Sequence, residues 1–234
     1  TGKYYASLLL EDGLQTPAPL HSVDTVLGVD MGLTHLAIDS EGNKTANPRF
    51  LKRAQSNLRR KQKALSRCRK GSKGRTKARL KLAKAHERLA NARADFQHNL
   101  SRQLIDENQA VVVETLKVKN LLKSRKLSKH IADASWFSLI QKLEYKAKEQ
   151  GKHLVKIDQW FASSRTCSCC GHKVDTLPLS VRNWSCPACK AELDRDINAA
   201  VNIRQQGINK LRAEGLSVPA NGGLRKSGHA PVAA

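Results

Sequence analysis

Short apolar runs separated by Gly, Pro and Asp occupy the beginning of the chain, a pattern typical of strands joined by tight turns. Residues 4–10 (YYASLLL) predict a strand, and the Gly- and Pro-containing residues after them predict a linker. Two further apolar runs, 26–29 and 33–38, each end at an Asp and flank a Gly-containing turn. This pair of runs predicts a hairpin.

From about residue 50 the apolar residues take up the spacing of a helix. Leu51, Leu58 and Leu65 recur every seven residues, and apolar residues recur every three or four positions over 82–100. The sequence GSKGR at 71–75 interrupts this pattern. The spacing therefore predicts two helices on either side of that break, which we expect to form an antiparallel helical arm with basic outer faces.

The second half of the chain alternates apolar runs with helical patterns. The uninterrupted apolar run 109–114 ends in a carboxylate and predicts a buried central strand. Helical spacing over 134–150 and an apolar run at 153–158 predict a helix and then another strand. A last helix is predicted over about 194–211, and the Gly-, Pro- and Ala-containing tail after it, 212–234, is expected to be flexible.

The charge balance indicates that the partner of this predicted α/β chain is a polyanion. The 234 residues carry 42 Lys and Arg against 20 Asp and Glu, a formal net charge of +22. Such an excess of like charge favours nucleic acid as the partner and excludes an ordinary acidic-to-neutral enzyme. The sequence contains no uncharged apolar stretch of the ~18 to 20 residues that a membrane-spanning helix needs.

Basic residues are concentrated in the predicted helical arm. Residues 51–90 contain 16 Lys or Arg and one acidic residue, Glu87, which is too one-sided for alternating salt bridges and favours contact with phosphates. Arg165, beside the first cysteine pair described below, is a further candidate. The predicted nucleic-acid-binding residues are Lys52, Arg53, Arg59, Arg60, Lys61, Arg67, Arg69, Lys70, Arg75 and Arg165.

Four of the six cysteines form two CxxC pairs, Cys167/Cys170 and Cys186/Cys189, separated by 15 residues. Each CxxC turn directs two sulfur atoms at one point, and two such turns complete a four-thiolate tetrahedral zinc site. Because all four positions are filled by protein, the zinc is expected to be structural. Cys169 is a spare thiol that could replace a neighbouring ligand.

The use of cysteine as a metal ligand rather than in disulfides favours a reducing compartment, and we expect the protein in the cytoplasm. No signal peptide is recognisable. The chain starts at Thr1 and its single methionine is Met31, so we expect it to be a piece of a longer protein.

Several carboxylates stand where an apolar strand ends or a helix begins: Asp30, Glu114, and the pair Asp194 and Asp196. Converging carboxylates of this kind can hold magnesium ions that support phosphodiester hydrolysis. Surface strand ends and a helix N-cap explain the same residues, the cap being the natural alternative for Asp194. The residues alone leave both interpretations open.

Taken in order, the motifs GVDMGL, VVVE, WFASSRTCSCCG, the second CxxC and LDRDINAAVNI resemble the RuvC-like nuclease half of the TnpB family. Members of this family are transposon-encoded RNA-guided DNA endonucleases related to type V CRISPR effectors. The resemblance implies an α/β fold with an RNase H-like (RuvC) core, a helical insertion and a zinc ribbon. The implied boundaries are 1–16 for the last strand of an upstream wedge domain, 17–160 for the core with the basic helical insertion at about 50–105, 161–192 for the zinc ribbon, 193–211 for the final helix and 212–234 for the tail.

The resemblance also assigns roles. Asp30, Glu114 and Asp196 are implied to hold two catalytic Mg²⁺ ions, with Asp194 as a capping or accessory group. The implied partners are a DNA target and a guide RNA from the transposon end, in a prokaryotic, nucleoid-associated setting, and most of the part that recognises the target lies upstream of this chain. Two other functions stay open: a non-catalytic, zinc-stabilised nucleic-acid-binding protein, and a transposase that joins DNA strands.

Overall fold

The structure is a computed structural model that describes residues 2–11, 13 and 15–219. These residues fall into two units: the described residues up to Gln15 together with Arg49–Leu100, and Thr16–Pro48 together with the described residues from Ser101 onward. Among the described residues, no helix combines the length and the apolar character needed to cross a membrane.

The first unit contains the predicted basic arm as two long helices, α1 (Phe50–Arg67) and α2 (Lys73–Asp106), whose last six residues belong to the second unit. Phe50 at the start of α1 meets Phe96 near the end of α2, with ring centroids 6.0 Å apart in an edge-to-face arrangement. Arg75 at the start of α2 donates to the carbonyl oxygens of Leu65 and Cys68 at the end of α1. The two helices are therefore antiparallel, as the sequence predicts.

The second unit is built on a five-stranded mixed sheet with the strand order β3-β2-β1-β4-β5. The strands are β1 (Val26–Asp30), β2 (His35–Asp39), β3 (Lys44–Ala46), β4 (Ala110–Glu114) and β5 (His153–Ile157). The first three strands pair antiparallel, whereas β4 runs parallel to both β1 and β5. The predicted hairpin and the predicted strands at 109–114 and 153–158 are confirmed.

Besides the end of α2, the described part of the second unit contains four α-helices: α3 (Val118–Leu121), α4 (Ser128–Ala134), α5 (Trp136–Glu149) and α6 (Arg195–Ala213). The helix predicted over 134–150 is thus shorter, because Ser135 adopts a left-handed backbone (φ 52°) that separates α4 from α5. The apolar residues of β1 and β4 are fully buried, as expected for central strands, and the apolar face of α6 packs against them.

Two glycines allow α6 to lie unusually close to the sheet. A Cβ atom at Gly28 in β1 would stand 2.1 Å from the carbonyl oxygen of Ala200, and one at Gly207 in α6 would stand 2.2 Å from a methyl group of Val112. Real Cβ atoms do not approach other atoms this closely. The glycines therefore set the distance between the last helix and the strands that carry Asp30 and Glu114.

Replacing Gly28 by alanine is expected to destabilise the fold by about 3 kcal/mol, because the added methyl group meets helix backbone that cannot move aside. Urea unfolding followed by circular dichroism measures this change. The matched control is Gly74→Ala in α2, where the nearest atom to the new Cβ is the Ser72 Oγ at 3.8 Å. Equal stability of the two variants would show that the close helix–sheet contact does not limit the fold.

A small two-stranded sheet, β6 (Asn183–Ser185) and β7 (Glu192–Asp194), flanks the second cysteine pair, and α6 begins directly after β7. The sequence analysis did not predict these strands, which are three residues each. Trp184 and two of the cysteines, Cys167 and Cys186, form their buried apolar centre.

Two predictions at the ends of the chain differ from the structure. Residues 4–10 form no strand, and Tyr4, Tyr5 and Leu9 are among their exposed side chains; a strand needs a partner for its backbone hydrogen bonds. The tail predicted as flexible from residue 212 includes the end of α6 and a fixed segment, in which the Ser217 carbonyl accepts from the Val23 N–H and Val218 is buried. The rest of that prediction, 220–234, lies outside the described residues.

Candidate functional site

Three of the carboxylates singled out in the sequence line one cleft of about 200 Å³. Asp30 ends β1 and Glu114 ends β4, and these strands are parallel and in register, Val29 opposite Val113, so their last residues lie side by side. Asp196 comes from the first turn of α6. The cleft is lined by Asp30, Glu114, Ser163, Ser164, Leu179, Arg182, Arg195, Asp196 and Ala199.

Asp30 lies in a position that is electrostatically unfavourable for its ionised form. Burial, together with the charges of Glu114 and Asp196, raises the pKa of Asp30 to about 7, although Arg195 and the Met31 N–H act in the opposite direction. When a carboxyl group in such an environment is ionised, too little positive charge lies nearby to compensate its negative charge. Binding of a cation would relieve this deficit.

Glu114 is held by a hydroxyl group from the loop after β5. Burial raises the pKa of Glu114, and a hydrogen bond donated by the Ser163 hydroxyl to its Oε1 partly opposes that shift. Ser163 itself is buried and belongs to a single 3₁₀ turn, Ser163–Arg165. The sequence analysis did not identify Ser163 as part of the site.

Two asparagines one turn apart on α6 fix the Ser163 turn to the helix. The Nδ2 groups of Asn198 and Asn202 donate to the carbonyl oxygen of Thr166 at 2.8 and 2.6 Å, and Asn202 also donates to the Ser163 carbonyl at 2.8 Å. The Asn198 Oδ1 accepts from the Ser168 N–H at 2.8 Å. The helix of Asp196, the serine on Glu114 and the first cysteine knuckle are therefore joined by hydrogen bonds.

Asp194 and Asp196 have different roles in the structure. Asp194 is the N-cap of α6: its Oδ1 accepts from the N–H groups of Asp196 and Ile197, both at 3.0 Å, and its Oδ2 lies 2.6 Å from the Lys44 ammonium. Burial opposes ionisation of Asp194, but these partners outweigh it, so the pKa of Asp194 is lowered. Asp194 is occupied as a cap, and Asp196 is the carboxylate that lines the cleft.

The sign of the Asp30 shift predicts a specific pH dependence. Because its pKa is raised from 3.8 to about 7 on folding, Asp30 costs no stability below about pH 4, an increasing amount between about pH 4 and pH 7, and a constant amount above that. Asp30→Asn should therefore raise the free energy of unfolding, measured without added Mg²⁺, by up to about 4 kcal/mol at pH 8 and by little at pH 4. A difference between the two proteins that stayed constant over this range would contradict the assignment.

The four cysteines of the two CxxC pairs converge at one point. Their four Sγ atoms all lie within 4.8 Å of one another. Among the described residues, no other set of three or more His, Cys, Asp or Glu side chains has its ligand atoms this close together. The Sγ atoms of Cys167 and Cys189 are 3.7 Å apart, and those of Cys170 and Cys186 are 3.6 Å apart. The set can hold a metal ion.

The two cysteine turns have the same backbone geometry. The N–H of Cys167 donates to the carbonyl of His172, and the N–H of Cys186 donates to the carbonyl of Ala191, at 2.8 and 2.9 Å. At the matching position each turn has a left-handed residue, Gly171 (φ 77°) and Lys190 (φ 63°). Backbone N–H groups of Cys189 and Ala188 help to lower the pKa of the Cys186 thiol to about 6. The His172 N–H acts in the same direction on Cys170, but burial and hydrogen bonds with the other three cysteines raise the pKa of Cys170 to about 12, so Cys186 is the thiol of this pair that ionises more readily.

The predicted nucleic-acid-binding residues fall into two groups, three that are partly buried and seven that are exposed. Arg75 and Arg165 are engaged by carbonyl oxygens, Arg75 at the end of α1 and Arg165 with the Asp175 carbonyl at 2.6 Å. Lys61 is partly buried. The exposed members are Lys52, Arg53, Arg59, Arg60, Arg67, Arg69 and Lys70.

The chain matches two protein families and several relatives. Residues 10–125 match a family described as "probable transposase", and residues 136–203 match the family described as "Cas12f1-like, TNB domain". The chain is 46% identical, over 88% of its length and 50% of the relative, to a "Putative RNA-guided DNA endonuclease" of Streptomyces pristinaespiralis. It is 31% identical, over 63% of its length and 35% of the relative, to the CRISPR-associated endodeoxyribonuclease Cas12f1 of Sulfoacidibacillus thermotolerans.

The fold also resembles a solved structure. A chain in the cryo-EM structure of the Cas12f1–sgRNA–target DNA complex superposes with a TM-score of 0.57 at 16% identity, over 80% of this chain and 51% of that chain. The chain spans about half the length of the curated relative from Streptomyces that it matches.

Proposed function

The chain belongs to the TnpB family, and from this premise we propose that it is the nuclease part of an RNA-guided, Mg²⁺-dependent DNA endonuclease. The observation that carries the proposal is the convergence of Asp30, Glu114 and Asp196 on one cleft. The relatives that the chain matches are named as DNA endonucleases, which supports the same reaction.

We propose that the five-stranded sheet of the second unit is the centre of an RNase H-like (RuvC) core. The strand order β3-β2-β1-β4-β5, with three antiparallel strands followed by two parallel ones, supports this assignment. The proposed boundaries are those of the sequence analysis: core 17–160 with its insertion, zinc ribbon 161–192 and final helix 193–211. Residues 1–16 are proposed to complete a sheet of the upstream wedge domain, which accounts for their exposed apolar side chains.

The chain's own residues prepare the cleft for phosphodiester hydrolysis. Asp30, Glu114 and Asp196 would hold two Mg²⁺ ions, which supply an activated water and stabilise the departing 3′ oxygen. Ser163 orients Glu114, and Asp194 fixes the first turn of α6 so that Asp196 stays at the cleft. The raised pKa of Asp30 fits a group that takes its negative charge fully only when a cation is near.

The four-cysteine set is proposed to hold a structural zinc ion. A tetrahedral ion with zinc–sulfur bonds of about 2.3 Å spaces its sulfur atoms by roughly 3.8 Å, close to the two separations in the structure. Cys169 is exposed and stands outside the converging set. All ligand positions are filled by protein, so this ion would order the ribbon and not take part in the reaction.

The helical arm is proposed to bind nucleic-acid backbone. Its exposed lysine and arginine side chains offer phosphate contacts without reading sequence, and such contacts account for the large positive charge of the chain. The proposed ligands are a DNA target and a guide RNA.

Cleavage of end-labelled single- and double-stranded DNA, with and without added Mg²⁺, tests the proposal. The assay is run with this chain and with a full-length protein, extended upstream and loaded with guide RNA. Cleavage that requires Mg²⁺ in either form supports the proposal, and activity of the short chain would place a complete nuclease centre within its 234 residues. Guided full-length protein that binds DNA but never cuts it would favour the non-catalytic binding protein.

The transposase alternative is distinguished by its products. One matched family is described as "probable transposase", and a strand-joining enzyme could use the same three carboxylates. Hydrolysis leaves free ends, whereas strand transfer yields a labelled transposon end joined to a new DNA molecule. Gel analysis of the products separates the two reactions.

A further inference from the structure

A positively charged side chain that lines the cleft contacts both oxygens of one of the cleft carboxylates. The Nη1 atom of Arg182 lies 3.0 Å from Oδ1 and 3.1 Å from Oδ2 of Asp196. The side chain of Arg182 is 56% exposed, whereas that of Asp196 is 20% exposed. The guanidinium therefore stands on the solvent side of the carboxylate and covers it.

The backbone of Arg182 is anchored to the residue directly before Asp196. The N–H of Arg195 donates to the Arg182 carbonyl at 2.7 Å, and the Arg195 side chain donates to the carbonyl of Pro178 at 2.7 Å. Both ends of the 178–182 segment are thus tied to the start of α6. Because the backbone is fixed and the side chain is exposed, Arg182 can leave Asp196 by rotating its side chain alone.

The ion pair conflicts with metal binding at Asp196. A divalent cation would need an oxygen of Asp196 that the guanidinium now contacts, and two cations at one carboxylate repel each other. The three carboxylates line one cleft, yet among the described residues only the cysteines bring all their ligand atoms within 4.8 Å. Release of Arg182 would free Asp196 to move toward Asp30 and Glu114.

We propose that Arg182 is an exchangeable cation of the cleft: it holds Asp196 while no divalent metal is bound, and it is displaced when the metal binds. This inference rests on the proposed function, because it requires the cleft to bind metal. The contact keeps Asp196 oriented and its charge compensated before the metal arrives. It also weakens metal binding, since the ion pair must break first.

The test is the affinity of the zinc-loaded chain for Mn²⁺ alone, measured by the EPR signal of free Mn²⁺. Arg182→Ala should bind Mn²⁺ about fivefold more tightly, a ratio that corresponds to about 1 kcal/mol. Arg182→Lys, which keeps the charge but loses the planar donor geometry, should lie between the wild type and the alanine variant. Lys173→Ala removes one positive charge from an exposed position of the same ribbon and should leave the affinity unchanged.

Thermal unfolding provides the second measurement. Without Mn²⁺, Arg182→Ala should unfold at a lower temperature than the wild type, because its carboxylates lose a compensating cation; at saturating Mn²⁺ the two proteins should unfold together. A loss of stability of equal size in both conditions, or an unchanged affinity, would mean that Arg182 is only a structural ion pair. Asp30→Ala separates the two hypotheses: if it leaves Mn²⁺ binding intact, the cleft is not the metal site and the proposed function fails with it.

Discussion

Replacing Asp30 by alanine is expected to lower the rate of DNA cleavage at least about 1,000-fold while nucleic-acid binding is retained. Asp30 lies partly buried at the end of β1, where the charges of Glu114 and Asp196 act on it, so its loss is expected to weaken the proposed binding of a cation in the cleft. The exposed basic residues of the helical arm belong to the other unit of the chain and are unchanged by the substitution. Glu114→Ala and Asp196→Ala should give the same pattern.

The measurement pairs single-turnover cleavage with a binding assay at several salt concentrations, since phosphate contacts give a characteristic salt dependence. The matched control is Asp24→Ala, which removes an exposed carboxylate just before β1, at the opposite end of the strand from Asp30. It should cleave at the wild-type rate. An Asp30 variant that lost binding and cleavage in parallel would mean that these carboxylates are structural.

The elements that the sequence predicts are those whose signal is local. The apolar runs of β1 and β4 end at Asp30 and Glu114 because a buried strand must end where a charge can reach the edge of the core, and that position is visible in the residues alone. The parallel pairing that sets these two residues side by side depends on contacts between distant parts of the chain. The sequence is sufficient to identify these carboxylates, whereas their proximity depends on the fold.

The residues that the sequence analysis missed act through hydrogen bonds across the tertiary structure. Ser163, Asn198 and Asn202 are polar residues that are buried, and burial is not visible in composition or periodicity. The spacing of the two asparagines, four residues apart on a helix that otherwise packs apolar residues inward, is the one local signal that could have identified them. Arg182 offered no such signal among 42 basic residues.

The strand predicted at 4–10 shows the opposite limit of local patterns. The segment has no β-branched residue, but its apolar sequence fits the pattern of a strand. A strand forms, however, only when another strand completes its backbone hydrogen bonds. The described residues leave this segment without a strand assignment and with exposed Leu8, Leu9 and Leu10. The pattern predicts what the segment can become with a partner, not what it forms alone.

Replacing one of the four clustered cysteines is expected to disable the proposed nuclease site from a distance. Cys186→Ser should abolish stoichiometric zinc binding, lower the unfolding temperature and reduce cleavage by about 100-fold, the scale of a small displacement of a catalytic group. Cys186 is fully buried in the centre of the ribbon, and its neighbouring segment carries Arg182, whose carbonyl accepts from Arg195 at the start of α6. On the other knuckle, the Ser168 N–H donates to Asn198 of the same helix. Two hydrogen-bonded routes thus lead from the cysteine cluster to the helix of Asp196.

Zinc content by atomic absorption, thermal unfolding and the cleavage rate together test this coupling. Cys169→Ser is the matched control, because it removes an exposed thiol of the same knuckle that stands outside the converging set, and it should leave all three quantities unchanged. Cleavage at the wild-type rate by a Cys186 variant shown to lack zinc would break the proposed link. The ribbon would then be an independent module, and the asparagine contacts of α6 with the Ser163 turn would be sufficient to keep the carboxylates in place without it.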